Sequence, residues 1–236
     1  MTKRLQIIGI VLAVLGLGFV FGGGYAYVQV QDGYDSLQAF SQAENVTLSY
    51  DEEGQLVDRG TTEGAAAIML LLTAPAEDGG WAYPVIEGDL DPNDPLVNTA
   101  TEYMFQMAAI GYHTLHSTQT VVLDEAVEYE GVVYEAGTYE FEVDGRYWSD
   151  FNRSHPIEGQ ARSQAWSGTA HALFGTLGVG TVTASTLQLA QAVSFILIGL
   201  GFTFMLLGGG LFWSGLGKDE IIALAIDDRK PESALV

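Results

Sequence analysis

Two stretches decide the fold: LQIIGIVLAVLGLGFVFGGGYAYV (residues 5–28) and LQLAQAVSFILIGLGFTFMLLGGGLFW (residues 187–213). They run 24 and 27 residues without a charged side chain. A helix rises about 1.5 Å per residue, so about 20 apolar residues cross a hydrocarbon core of roughly 30 Å. Tyr25 and Tyr27 end the first run, and Phe212 and Trp213 end the second, where interfacial aromatics belong. The expected architecture is a membrane protein with two transmembrane α-helices flanking an extracytoplasmic α+β domain. Lys3 and Arg4 precede the first run; Lys218, Arg229 and Lys230 follow the second. On the other side the nearest bases, Arg59 and Arg162, are more than 20 residues from either run. Positive charge collects on the cytoplasmic side. The pattern therefore predicts a cytoplasmic N-terminus (1–4), a span (5–28), an outer domain (29–186), a second span (187–213) and a cytoplasmic tail (214–236), in the plasma membrane. The first run is too long for the core of a signal peptide, and no A-x-A site follows it, so an uncleaved anchor is expected.

The 236 residues include 30 Asp and Glu against 9 Lys and Arg, a formal net charge of −21, yet 48% are hydrophobic. That combination excludes a disordered acidic segment, which needs low hydrophobicity, and a nucleic-acid binder, which needs a basic footprint. The absence of cysteine excludes disulfides, thiolate metal sites and a cysteine nucleophile. Residues 29–186 hold 25 of the acids and only four bases, Arg59, Arg146, Arg153 and Arg162. Such a field attracts cations and repels anions. Three explanations suit it: adaptation to a salty exterior, recruitment of a cationic partner or divalent cation, and solubility.

Within the outer segment, Gly33–Ala43 reads as a continuation of the first helix or the start of a short one. VTLSY (46–50) and QLVDR (55–59) flank a turn at Gly54 and predict a hairpin. GTTEGAAAIMLLLTA (60–74) offers a Thr cap and a buried helix. A helix is expected over 94–116, with Asp94 as N-cap, Pro95 in the first turn, and Met104, Met107, Ala108 and Gly111 inward. Apolar and acidic residues alternate over 127–130 and 138–143, and Asp144-Gly145 is a turn signal. A small antiparallel β meander over 118–148 follows from that period of two. Residues 155–177 return to a helical pattern.

Few constellations carry chemistry. His113 and His116 are three apart on one predicted helix, a spacing that suits Zn, Cu or Fe with an added carboxylate. No third ligand is set by spacing. Asp89, Asp91 and Asn93 open like a calcium loop, but Asp94 stands where Gly is needed and Ala100 where Glu is needed. Asn45-Val46-Thr47 and Asn152-Arg153-Ser154 are glycosylation sequons. Gly18 and Gly22 form a GxxxG face, suited to packing on the second span or on another subunit. No phosphate loop, dinucleotide fingerprint, G-x-S-x-G or HExxH occurs.

The stretches AENVTLS (43–49) and TASTLQLAQAVSFILIGLG (183–201), with the spans, resemble a group of uncharacterised bacterial two-span membrane proteins with an extracytoplasmic loop. The resemblance implies topology. Members are sometimes labelled ring-opening dioxygenases, but no non-haem iron triad is recognisable here. The central residues 75–175 depart from the small loop of that group.

The expected function is an accessory or scaffolding subunit of a larger membrane complex. Its partners would be the lipid bilayer and other integral subunits, and it would have no catalytic role of its own. The alternative is a membrane-tethered binding module for a metal ion or cationic ligand. An enzyme is the weakest reading. No cofactor is strongly indicated.

Overall fold

The structure, a computed structural model, describes residues 2–216. Lys218, Arg229, Lys230 and nearly all of the expected cytoplasmic tail lie outside the described residues. The chain forms two compact units, one of the residues up to Tyr34 with those from Leu187 onward, the other Asp35–Thr186.

The first unit is built from the apolar parts of two long helices, α1 (Thr2–Glu44) and α5 (Gly168–Gly215). They run antiparallel, because Gly9 meets Gly208, Gly16 meets Gly201 and Gly23 meets Ser194. A Cβ on Gly16 would lie 2.6 Å from the Gly201 carbonyl oxygen, and one on Gly201 would lie 2.7 Å from that of Gly16. The contact residues recur every seventh position on both helices. A strict seven-residue repeat keeps one seam facing the partner and imposes a left-handed crossing. Phe19–Phe204 and Tyr27–Phe195 ring pairs flank the seam. Gln6 donates to the Gly215 carbonyl at 3.1 Å, satisfying one of the acceptors left open at the end of α5. Both helices are long and apolar enough to cross a membrane, and only 11% of each apolar window is buried. The core helix of a soluble protein would be mostly buried. Phe21 and Leu206, on the outer faces, are more than 70% exposed.

In the second unit, α1 ends at Glu44, and Asn45 closes it at φ 50° with its N–H on the Ser41 carbonyl. Asn tolerates this left-handed position better than most residues. The expected hairpin follows as β1 (Ser49–Tyr50) and β2 (Leu56–Val57), antiparallel, with Gly54 at φ 78° in the turn. A second tight turn, Arg59-Gly60, has Asp58 and Thr61 exchanging backbone hydrogen bonds at 2.9 and 3.0 Å. Thr61 then caps α2 (Thr62–Thr73), accepting from the Gly64 N–H, and Ala65, Ile68 and Leu72 form its buried face.

The helix expected from Asp94 starts later, as α3 (Ala100–Leu115). Thr99 and Glu102 form a reciprocal capping box that satisfies more of the end donors than Asp94 and Pro95 would. The stretch before it is instead extended, with the Leu48 N–H on the Pro95 carbonyl and the Val97 N–H on the Val46 carbonyl. Ala108 and Gly111 are buried, whereas Met104 and Met107 are half-buried.

The expected meander is a nested hairpin. Strand β3 (Thr118–Leu123) pairs with β6 (Gly137–Glu142), and β4 (Val127–Tyr129) with β5 (Val132–Tyr134). The chain doubles back at Glu130-Gly131, at φ 50° and 79°, so the outer strands meet each other. Asp144-Gly145 adopts the same kind of turn, but no strand returns from it: the Gly145 N–H reaches the Leu115 carbonyl at the end of α3. The helical stretch 155–177 is broken between α4 (Glu158–Ala165) and α5. Trp166 leaves helical conformation to send its indole N–H to the Arg146 carbonyl, and the Ser167 hydroxyl accepts the Ala170 N–H at the start of α5. Val121, Leu123, Ile157 and Ala161 pack under the hairpin, and Leu115, Val143, Phe151 and Trp166 form a second buried cluster.

Candidate functional site

A cleft of about 520 Å³ opens in the second unit between the β1–β2 hairpin, α3 and α4. Two of its charged groups come from the Asp58–Thr61 turn. Asp58 ends the strand segment, and Arg59 occupies the first turn position at φ 49°. A non-glycine residue pays about 1–2 kcal/mol for that conformation. Across the cleft, the last turn of α3 presents His113. Its Nε2 lies 3.1 and 3.0 Å from the two Asp58 carboxylate oxygens. A carboxylate only accepts, so Nε2 carries the proton.

The floor is polar. Gln119 donates to the Ser117 hydroxyl at 2.7 Å, and that hydroxyl donates to the Thr114 carbonyl at 2.7 Å. Among the described residues, Asp58 is the sole acidic one lining the cleft. In a domain this acidic, the cleft is locally balanced, with Asp58 matched by Arg59.

The sequence-derived candidates do not gather. His116 faces a separate hollow of about 260 Å³ beside Leu70 and Leu71, with Nδ1 on the Tyr112 carbonyl and its ring 4.2 Å from that of Tyr112. Asp91 closes its own turn, accepting the backbone and side-chain N–H of Asn93, both at 2.8 Å, and the backbone bond first holds its carboxyl below the usual range. Asp89 lies in a short 3-10 turn, one carboxylate oxygen buried without a partner. Among the described residues no three His, Asp or Glu side chains come together to hold a metal ion. Asn45 and Asn152 are both exposed, but the Asn152 amide donates to the Tyr129 hydroxyl at 2.9 Å. Gly18 and Gly22 lie off the helix seam: a Cβ on either meets no atom within 4 Å.

Burial perturbs groups elsewhere in the unit. Glu102, 1% exposed, has its carboxyl pushed above the ordinary range by burial, against hydrogen bonds from Asn98 and Thr99, with Asp94 adding to the rise. Burial likewise raises the Tyr50 hydroxyl, helped by Glu102 and Asp91. His155 has a defined tautomer. Its Nδ1 accepts the N–H groups of Ile157 and Glu158 at 3.2 Å, leaving the proton on Nε2 for the Tyr134 hydroxyl at 2.9 Å.

Reading motifs along the chain missed Asp58, Arg59 and, of the seam glycines, Gly9 and Gly16; Gly23, Gly201 and Gly208 stand out as small residues of the spans. The D-R-G-T turn (58–61) and the seven-residue spacing of Gly9, Gly16 and Gly23 against Ser194, Gly201 and Gly208 are the signals that find them. No family model matches the chain, and no curated protein or solved structure matches it either.

Proposed function

We propose that this chain is an accessory or scaffolding subunit of a larger membrane protein complex, without a catalytic role of its own. In this reading the two apolar helices cross the plasma membrane, the termini are cytoplasmic as Lys3 and Arg4 suggest, and the acidic unit projects outside. The observation that carries the reading is the division of the helix surfaces. One face of each helix is consumed by the glycine seam, while Gly18, Gly22 and the large apolar side chains around them face outward uncovered. Small residues let helices approach closely in lipid, where no hydrophobic force drives them together. Extraction in mild detergent, native gel separation and mass spectrometry of the band test it. Comigration with defined partners in fixed ratio, lost in Gly18→Leu/Gly22→Leu with the outer unit still folded, supports the reading. Migration alone overturns it, and unchanged comigration of the variant removes that face as the docking surface.

A second reading, a membrane-tethered extracytoplasmic binding module, is favoured by the acidity of residues 29–186, which attracts cations. For a metal ion or cationic ligand it requires a saturable melting shift that disappears in Asp89→Asn/Asp91→Asn or His113→Ala/His116→Ala. A shift no larger than generic salt stabilisation rejects that ligand class.

A further inference from the structure

The cleft beside Asp58 and His113 lacks the acidic excess of its own domain. Among the described residues Asp58 is the sole acid lining it, and both of that residue's carboxylate oxygens already face His113. Arg59 stands at the rim, exposed and without an ion pair among the described residues. Arg146, by contrast, is paired with Glu158 at 3.4 Å, and Arg162 lies against the Trp148 ring. Two more groups on the wall have unused capacity. Gln106 on α3, half-buried, and Gln164 on α4 make no hydrogen bond among the described residues. An amide offers donors and an acceptor together, which matches a hydroxyl. A guanidinium offers a planar fork that matches a carboxylate. The volume falls in the range of small-molecule sites, about 300–1,000 Å³.

We propose that this cleft binds a small hydroxylated organic acid, its carboxylate held by Arg59 and its hydroxyl groups by Gln106 and Gln164. The proposal stands independently of any role in a complex. It also reverses the ligand charge that composition suggests: a domain that attracts cations overall keeps one cleft free of unpaired carboxylates. The turn that presents Arg59 is the same kind as Glu130-Gly131 and Asp144-Gly145, and its first position accepts Gly or Asn at less cost.

The test is calorimetric titration and melting of the full chain in detergent with gluconate, using glucose and glucosamine as the matched neutral and cationic probes. Gluconate is expected to bind saturably and to raise the melting temperature, with glucose and glucosamine weaker. Arg59→Gly relieves the strained turn, so it is expected to melt at or above the wild-type temperature while binding gluconate about tenfold more weakly or worse. Arg153→Gln, an exposed arginine outside the cleft, is expected to bind as wild type. The proposal is overturned by the absence of saturable gluconate binding, by glucose or glucosamine binding as well as gluconate, by wild-type binding in Arg59→Gly, or by equal loss in Arg153→Gln.

Discussion

Glycine admits close neighbours in both units, but the neighbours differ. In the helix pair they are backbone: a Cβ on Gly9 would sit 2.5 Å from the Gly208 carbonyl oxygen, and one on Gly208 the same distance from that of Gly9. In the second unit they are of two kinds, the Ala74 and Arg153 carbonyls beside Gly80 and Gly159, and aromatic rings beside Gly111 and Gly180. A Cβ on Gly111 would meet Trp81 at 3.1 Å, and one on Gly180 would meet the Tyr103 ring. The Tyr103 hydroxyl in turn bonds Ser41 at 2.7 Å, and the Trp81 indole N–H bonds the Tyr147 hydroxyl at 2.9 Å. The helix pair is therefore organised chiefly by close approach of backbone, along a repeat that needs glycine at positions 9, 16, 201 and 208. The second unit also depends on side chains that each need a particular polar partner. Backbone pressed against backbone cannot yield to an added atom, whereas the end of a side chain can rotate away.

This contrast predicts where substitutions hurt. The largest effect is expected at the seam: Gly16→Leu or Gly201→Leu forces backbone apart and should destabilise helix pairing by about 4 kcal/mol or more. Reversible unfolding in detergent measures it, and a cost under about 1 kcal/mol would break the close-approach account. Next comes Glu102→Ala, which strands the N–H groups of Asn98 and Thr99 at the start of α3 and should cost about 2–3 kcal/mol.

Glu102 also makes a prediction about pH. Its carboxyl is raised by burial, so the folded chain keeps the proton after the unfolded chain has released it. The stability of the fold then falls as pH rises from the ordinary glutamate range through the raised value, and is recovered on acidification. Glu102→Gln removes that titration. The stability of wild type minus that of Glu102→Gln should grow in acid across this window; a difference that stays flat would contradict the burial argument. A smaller loss, about 1 kcal/mol, is expected for His155→Phe, which removes the acceptor of two N–H groups at the start of α4. Recovery of part of it in His155→Asn would show that the ring nitrogen acts as a cap. Smallest of all, Gly18→Leu should change the stability of the isolated chain by no more than about 0.5 kcal/mol, because its Cβ meets open space.

Much of the local grammar was legible from residue order. Uncharged runs of 24 and 27 residues predict two long apolar helices, and these are present. A Thr cap at the start of 60–74 was readable, as were the turn at Gly54 and helix over Gly33–Ala43, because each depends on neighbours within a few positions; that the cap is Thr61 and not Thr62 came from the structure. The seam required comparing two stretches nearly 200 residues apart. The GxxxG at Gly18 and Gly22 is visible within one helix, but the pairing face is the one where both helices carry small residues at matching sevenths.

Tertiary structure decided the rest for the same reason. Asp94 and Thr99 both offer a cap, and the choice fell to Thr99 because Glu102 completes the box and the 95–97 backbone is bonded to the stretch before β1. His113 and His116 share a helix face by spacing. Yet the ring of His113 turns to Asp58, 55 positions away, and that of His116 back to its own helix carbonyl. Residue order sets periodicity, turns and charge, which are local sums. Which donor finds which acceptor depends on distances set only when the chain closes, and the cleft between the hairpin, α3 and α4 is a product of that closure.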